Sequence, residues 1–108
     1  MTDAPATLSH FVHGKEVAGT SGRFGDVFDP ATGQVTGKLP LASKQEVEAA
    51  ITVAQAAFPA WAQTTPLNRA RVMFKFKALL EQHADEIALA ITREHGKVLS
   101  DARGELTR

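Results

Sequence analysis

Apolar and polar positions change rhythm once along this chain, near residue 43. Between residues 10 and 42 they alternate in short runs broken by glycine; from 43 to 108 they recur at helical spacing. Phe11-Val12 and Val17 flank His13-Gly-Lys-Glu16, which predicts a β-hairpin whose turn draws a positive φ from its glycine. Gly19-Thr-Ser-Gly-Arg-Phe-Gly25 reads as a loop by composition. Phe24, Val27 and Phe28 lead into Asp29-Pro-Ala-Thr-Gly33, a second predicted turn. There proline presets φ, aspartate bonds downstream backbone and glycine takes the left-handed position. Gln34 to Leu39 supplies the return strand, closed by Pro40.

The helical half carries stronger punctuation. Ser43-Lys-Gln-Glu46 is a capping box, in which serine and glutamate satisfy each other's backbone amides. Val47, Ala50, Ile51, Ala54, Ala57 and Phe58 then share one face, and Pro59 is expected to end the helix, with Trp61 beyond it. Thr65-Pro66 opens a second helix, since proline in the first turn forfeits no bond. Its stretch Val72-Met-Phe-Lys-Phe-Lys-Ala78 alternates as a strand would, but length and the cap decide for helix. A third helix runs from about Ala84 to a stop at Gly96, with Ile87, Ala88 and Ile91 inward. Ser100 is placed to cap a fourth, and no glycine or proline terminates it before Arg108. The expectation is a chain cut in mid-element. The expected core is Val47, Ile51, Phe58, Trp61, Phe74, Phe76, Leu79, Leu80, Ile87 and Ile91.

Composition narrows the function classes. A length of 108 residues suits one small domain, and 44% apolar with 22% charged residues argues against disorder. Twelve basic and twelve acidic residues cancel, so no global field favours nucleic acid or an anionic membrane. The absence of cysteine excludes disulfides, thiolate metal sites and a cysteine nucleophile within these residues. No apolar run approaches the ~20 residues of a transmembrane helix. The opening Met1-Thr-Asp-Ala-Pro-Ala-Thr7 lacks a signal-peptide pattern, and a cytoplasmic location is the expectation.

Candidate chemistry is sparse. Gly19, Gly22 and Gly25 invite a phosphate-loop reading, but polar residues precede them and a strand follows, which favours a plain connector. His10 and His13 sit in a strand and its hairpin, while His83 and His95 terminate helices, where an imidazolium meets the dipole favourably. No metal-ligand spacing recurs, and no metal is expected. Arg69, Arg71, Lys75 and Lys77 interleave with Val72, Phe74 and Phe76 as on a nucleic-acid surface. Cationic stems skirting an apolar helix face explain the same residues.

Five segments in order carry a resemblance: His13-Gly-Lys-Glu-Val17, Asp29-Pro-Ala-Thr-Gly33, Leu39-Pro-Leu-Ala-Ser43, Ala57-Phe-Pro-Ala-Trp61 and Arg93-Glu-His-Gly-Lys97. Together they resemble the N-terminus of the NAD(P)-dependent aldehyde dehydrogenases, over nearly the whole chain from His10. Gly19 to Asp26, Phe74 to Asp85 and Gly96 to Glu105 are most similar to the CoA-acylating methylmalonate-semialdehyde branch. Two departures stand out: Asp29 replaces a commoner asparagine, and Thr36-Gly37 a more apolar pair, both compatible with turn and edge-strand roles.

The resemblance implies an α+β segment of the α/β aldehyde dehydrogenase fold, an N-terminal β-hairpin region followed by three to four helices. Residues 1–9 are expected to be a disordered N-terminus. Residues 10–108 are the N-terminal part of the domain, ending before the cofactor strands and the catalytic domain. In such enzymes a cysteine thiolate attacks the aldehyde, NAD takes the hydride and CoA takes the acyl group, with loss of carbon dioxide. No catalytic, cofactor-binding or metal residue maps inside this chain. One substrate-binding residue does: the arginine three places after the Gly-Glu pair, Arg108, implied to bind the substrate carboxylate. The implied parent uses NAD and CoA on a small aldehyde as a homo-oligomer, without nucleic acid or membrane, and this chain alone is expected to bind neither cofactor. The rival reading is a non-catalytic helical interaction module.

Overall fold

The computed structural model describes residues 4–108, which form two compact units. One holds the chain up to Phe28 together with Gln34–Gln63; the other holds Asp29–Gly33 and Thr64–Arg108.

The first unit contains β1 (Ala6–Thr7), β2 (His10–Val12), β3 (Lys15–Val17), β4 (Phe24–Phe28), β5 (Val35–Pro40) and the helix α1 (Lys44–Gln63). β2 and β3 form the expected hairpin, with Val12 opposite Lys15. Its turn places both His13 (φ 55°) and Gly14 (φ 74°) in the left-handed region, as a primed two-residue turn requires. β4 and β5 pair antiparallel and β1 joins β5 in parallel, in the order β1-β5-β4. Of the stretch expected to be disordered, the first three residues lie outside the described residues and Ala6–Thr7 form β1. β5 is therefore a central strand, not an edge. Gly37 is buried there, and a Cβ on it would lie 3.4 Å from the Ala6 carbonyl and from Val27 Cβ. An absent side chain lets three strands approach.

α1 starts at the predicted box. Ser43 N donates to Glu46 Oε2 (2.7 Å), and Glu46 N donates to Ser43 Oγ (3.2 Å). Pro59 does not end it: the helix continues through Trp61 to Gln63. A proline removes one bond to the carbonyl four residues back, and the flanking Ala56, Ala57, Ala60 and Ala62 have the highest helix propensity.

The second unit contains α2 (Pro66–Gln82), α3 (Ala84–His95) and α4 (Leu99–Thr107). Thr65 caps α2 by accepting from Asn68 N (3.3 Å), ahead of Pro66. α3 stops at Gly96, φ 86°, whose N–H bonds to Thr92 O (2.8 Å). α4 starts earlier than Ser100 implied. Val98 is its N-cap, without a side-chain bond, and Ser100 lies inside the first turn. The turn Asp29–Gly33 belongs to this unit: Asp29 Oδ1 accepts from Ala31 N (2.8 Å), and Gly33 N donates to Asp29 O (2.8 Å).

Burial departs most from expectation. Val47, Ile51, Phe58, Trp61, Phe74, Phe76 and Leu79 are exposed, Phe74 by 69%, and Leu80, Ile87 and Ile91 are half-buried. Among the described residues the buried hydrophobic core is two alanines, Ala88 on α3 and Ala102 on α4, where those helices pack together. Periodicity orients an apolar face correctly but does not supply the element that covers it. No described helix is long and apolar enough to cross a membrane.

At Gly96 a Cβ would meet Pro30 Cβ and Cγ at 3.1 Å, on a backbone that L-residues resist. Gly96→Ala is expected to lower stability by about 1–2 kcal/mol, read from the midpoint of helical loss in urea. An unchanged midpoint would refute the strain.

Candidate functional site

Arg108, the candidate substrate residue, is the C-cap of α4, held through its N–H to Gly104 O (3.3 Å). It borders an open hollow of about 540 Å³ with Lys77, Leu80, Glu81, Ala84, Leu106 and Thr107. Its side chain is exposed, and among the described residues its guanidinium pairs with no carboxylate. Such a planar fork suits a carboxylate through two parallel hydrogen bonds.

Charged contacts fix the helix that carries it. Arg103 on α4 reaches Asp85 on α3, with Nη2 at 2.9 Å and Nε at 3.2 Å from Oδ1. Lys97 Nζ, just before α4, lies 3.1 Å from Asp101 Oδ2 and donates to Glu105 Oε1. The Glu105 carboxylate first, and then Asp101, hold the Lys97 ammonium above the usual lysine value. The favourable contribution is therefore present below that value and lost above it. Neither step, from Lys97 to Asp101 or to Glu105, was singled out in the sequence, because Lys97 stands before α4.

In the first unit the focal group is Glu46. Besides Ser43 N, its carboxylate accepts from Thr20 N (Oε1, 2.8 Å), and His10 Nε2 lies 3.9 Å away. The backbone amides of Ser43 and then Thr20 hold Glu46 down at about 2, well below the ordinary 4.5. His10 Nε2 is buried and makes no hydrogen bond. Beside this node, Phe11, Val12, Val17, Val47, Ala50 and Ile51 line an open apolar groove of about 590 Å³. The capping box was read from sequence, but nothing local marks Thr20 as its second donor.

The glycine loop does not fit a dinucleotide or another phosphate-bearing group. Its Thr20 amide serves Glu46, its Arg23 amide donates to Ser21 Oγ (3.1 Å), and Ser21 Oγ donates to Leu41 O. The loop then runs into β4, not onto a helix N-terminus that could face an anion. Among the described residues no group of three or more His, Asp, Glu or Cys assembles.

A model of the aldehyde dehydrogenase family matches residues 17–108. The chain is 50% identical over 102 residues to the malonate-semialdehyde dehydrogenase of Pseudomonas aeruginosa, covering 94% of this chain and 20% of that protein. It is 41% identical over 102 residues to the mitochondrial acylating methylmalonate-semialdehyde/malonate-semialdehyde dehydrogenase of Rattus norvegicus, covering 94% of this chain and 19% of that one. A Sinorhizobium meliloti structure assigned as methylmalonate-semialdehyde dehydrogenase, solved with NAD, superposes with a TM-score of 0.94 at 48% identity. It covers 99% of this chain and 22% of that one. The chain thus spans about a fifth of the length of these relatives, and its strands and four helices match the N-terminal part of their fold.

Because Glu46 is depressed in the folded chain, its stabilising effect is complete above 4.5 and is lost as pH falls towards 2. Glu46→Gln is expected to flatten this acid limb of the melting-temperature profile and to speed exchange of the Thr20 amide. A wild-type acid limb retained in the variant would refute the assignment.

Proposed function

The chain belongs to the aldehyde dehydrogenase family, and from that premise we propose that it serves as the N-terminal segment of an NAD-dependent, CoA-acylating malonate- or methylmalonate-semialdehyde dehydrogenase. The reading is carried by the 50% identity to a malonate-semialdehyde dehydrogenase across 94% of this chain. The acylating name of the rat relative supports CoA as the acyl acceptor, and the NAD complex from S. meliloti supports NAD as the hydride acceptor. The reaction converts methylmalonate semialdehyde, CoA and NAD into propionyl-CoA, carbon dioxide and NADH. A cytoplasmic homo-oligomer acting on this small aldehyde is the assembly proposed.

This chain's own contribution is structural and recognitive. It holds no cysteine to serve as nucleophile, and the Thr20 and Arg23 amides of its glycine loop are already engaged internally. Arg108 is the residue assigned to the substrate carboxylate, an exposed guanidinium with no internal partner among the described residues.

A second reading is favoured by the exposed Ile51, Phe58, Phe74 and Phe76 on α1 and α2: a non-catalytic module whose apolar faces dock onto a protein partner. A sharp cooperative melt and a monomeric elution volume would favour that module. A molten, ANS-binding chain would favour the enzyme segment.

The purified chain, given malonate semialdehyde, NAD and CoA, is expected to form no NADH, and clear turnover would overturn the assignment. A chimera tests the positive claim, with this chain replacing the matching 102 residues of the Pseudomonas aeruginosa enzyme. It should be active. Within it, Arg108→Met should raise KM for malonate semialdehyde about 10- to 100-fold, the worth of a charged hydrogen-bonded pair, and leave propanal oxidation unaltered. Equal effects on both aldehydes would remove Arg108 from carboxylate recognition.

A further inference from the structure

Glu105 stands three positions before Arg108, a spacing at which a carboxylate and a guanidinium on neighbouring helix turns pair readily. Such a pair would neutralise Arg108 from within and compete with any incoming carboxylate. The structure has Glu105 engaged elsewhere: its Oε1 accepts from Lys97 Nζ. We propose that Lys97 is a positioning residue that keeps Arg108 open to the substrate carboxylate by holding Glu105 towards the start of α4. The inference rests on the reading of Arg108 given above.

Geometry supports this role in three ways. The Lys97 side chain is only 13% exposed, against 43% for Glu105 and 55% for Asp101, so the most enclosed of the three groups is the cation that gathers the other two. Lys97 precedes the first turn of α4 while Arg108 caps its other end, and the helix between them is roughly 13 Å long. A carboxylate turned towards Lys97 is thus turned away from Arg108. The hollow beside Arg108 repeats the device: the carboxylate that lines it, Glu81, accepts from Lys77 one turn earlier on α2. Glu81 pairs with Lys77 and Glu105 with Lys97, and among the described residues neither carboxylate pairs with the arginine.

A lysine serving only to stabilise α4 would lower the yield or kcat of any variant, whatever the substrate. A lysine that diverts Glu105 makes a different demand. In the chimera, Lys97→Met should raise KM for malonate semialdehyde about threefold, the effect of one competing exposed ion pair, with kcat and propanal kinetics held. Adding Glu105→Gln should return KM to the parent value, because the competitor is gone, and Lys97→Arg should restore it by supplying another cation. Should Lys97→Met fail to fold, Lys97→Gln replaces it, with the same rise in KM expected and the same rescue by Glu105→Gln. A rise in KM with Glu105→Gln alone overturns the role. No rescue of Lys97→Met by Glu105→Gln also overturns it. The outcomes separate the two claims: substrate-indifferent kinetics of Arg108→Met sink the reading of Arg108, whereas a discriminating Arg108→Met with an inert Lys97→Met sinks only the role of Lys97.

Discussion

Gly96 takes a φ of 86°, and the second unit is organised around that left-handed residue. It ends α3 by returning its N–H to Thr92 O and releases the chain to turn within two residues into α4. Because the turn is short, α4 packs on α3 closely enough to bury Ala88 and Ala102 completely and to bring Arg103 to Asp85. Pro30 fills the space a side chain on Gly96 would need, so a turn sixty residues earlier in the sequence closes over the same point. Lys97, and through α4 Arg108, stand where they do because of this one backbone conformation.

Little apolar area is removed from water by the chain itself. The stripes of α1 and α2 are in place, yet Phe58 and Phe74 are 67% and 69% exposed. The local supports of these helices are their caps, the Ser43–Glu46 box for α1 and Thr65–Pro66 for α2. Their exposure agrees with a chain that spans about a fifth of its relatives in the aldehyde dehydrogenase family. A helix face written for burial stays exposed where the covering element is not among these residues.

Polar contacts therefore carry an unusual share of the specificity. Glu46 joins the glycine loop to the start of α1, and Lys97 joins two turns of α4. In both places one ionised group accepts or donates several short bonds, which is why the folded chain favours its charged form. Glu46 was visible in the sequence as part of the capping box, whereas Lys97 was not marked as an ion-pair centre. Their additional partners, Thr20 for Glu46 and Glu105 for Lys97, lie further along the chain than one helical turn.

Local rules were written plainly in the sequence. The hairpin at His13-Gly14, the turn at Asp29–Gly33, the caps at Ser43 and Thr65 and the stop at Gly96 each follow from interactions within a few residues. The family resemblance likewise rested on ordered local segments. What the sequence did not reveal was of two kinds. The passage of α1 through Pro59 and the start of α4 at Leu99 were local balances that simple punctuation misjudged. A partner distant along the chain decided the rest: β1 made β5 a central strand. Burial fell in the same class. An apolar stripe fixes which face a helix will hide, but only the elements packed against it determine whether that face is hidden. Among the described residues they left Ala88 and Ala102, not the ten expected side chains, as the fully buried hydrophobic core.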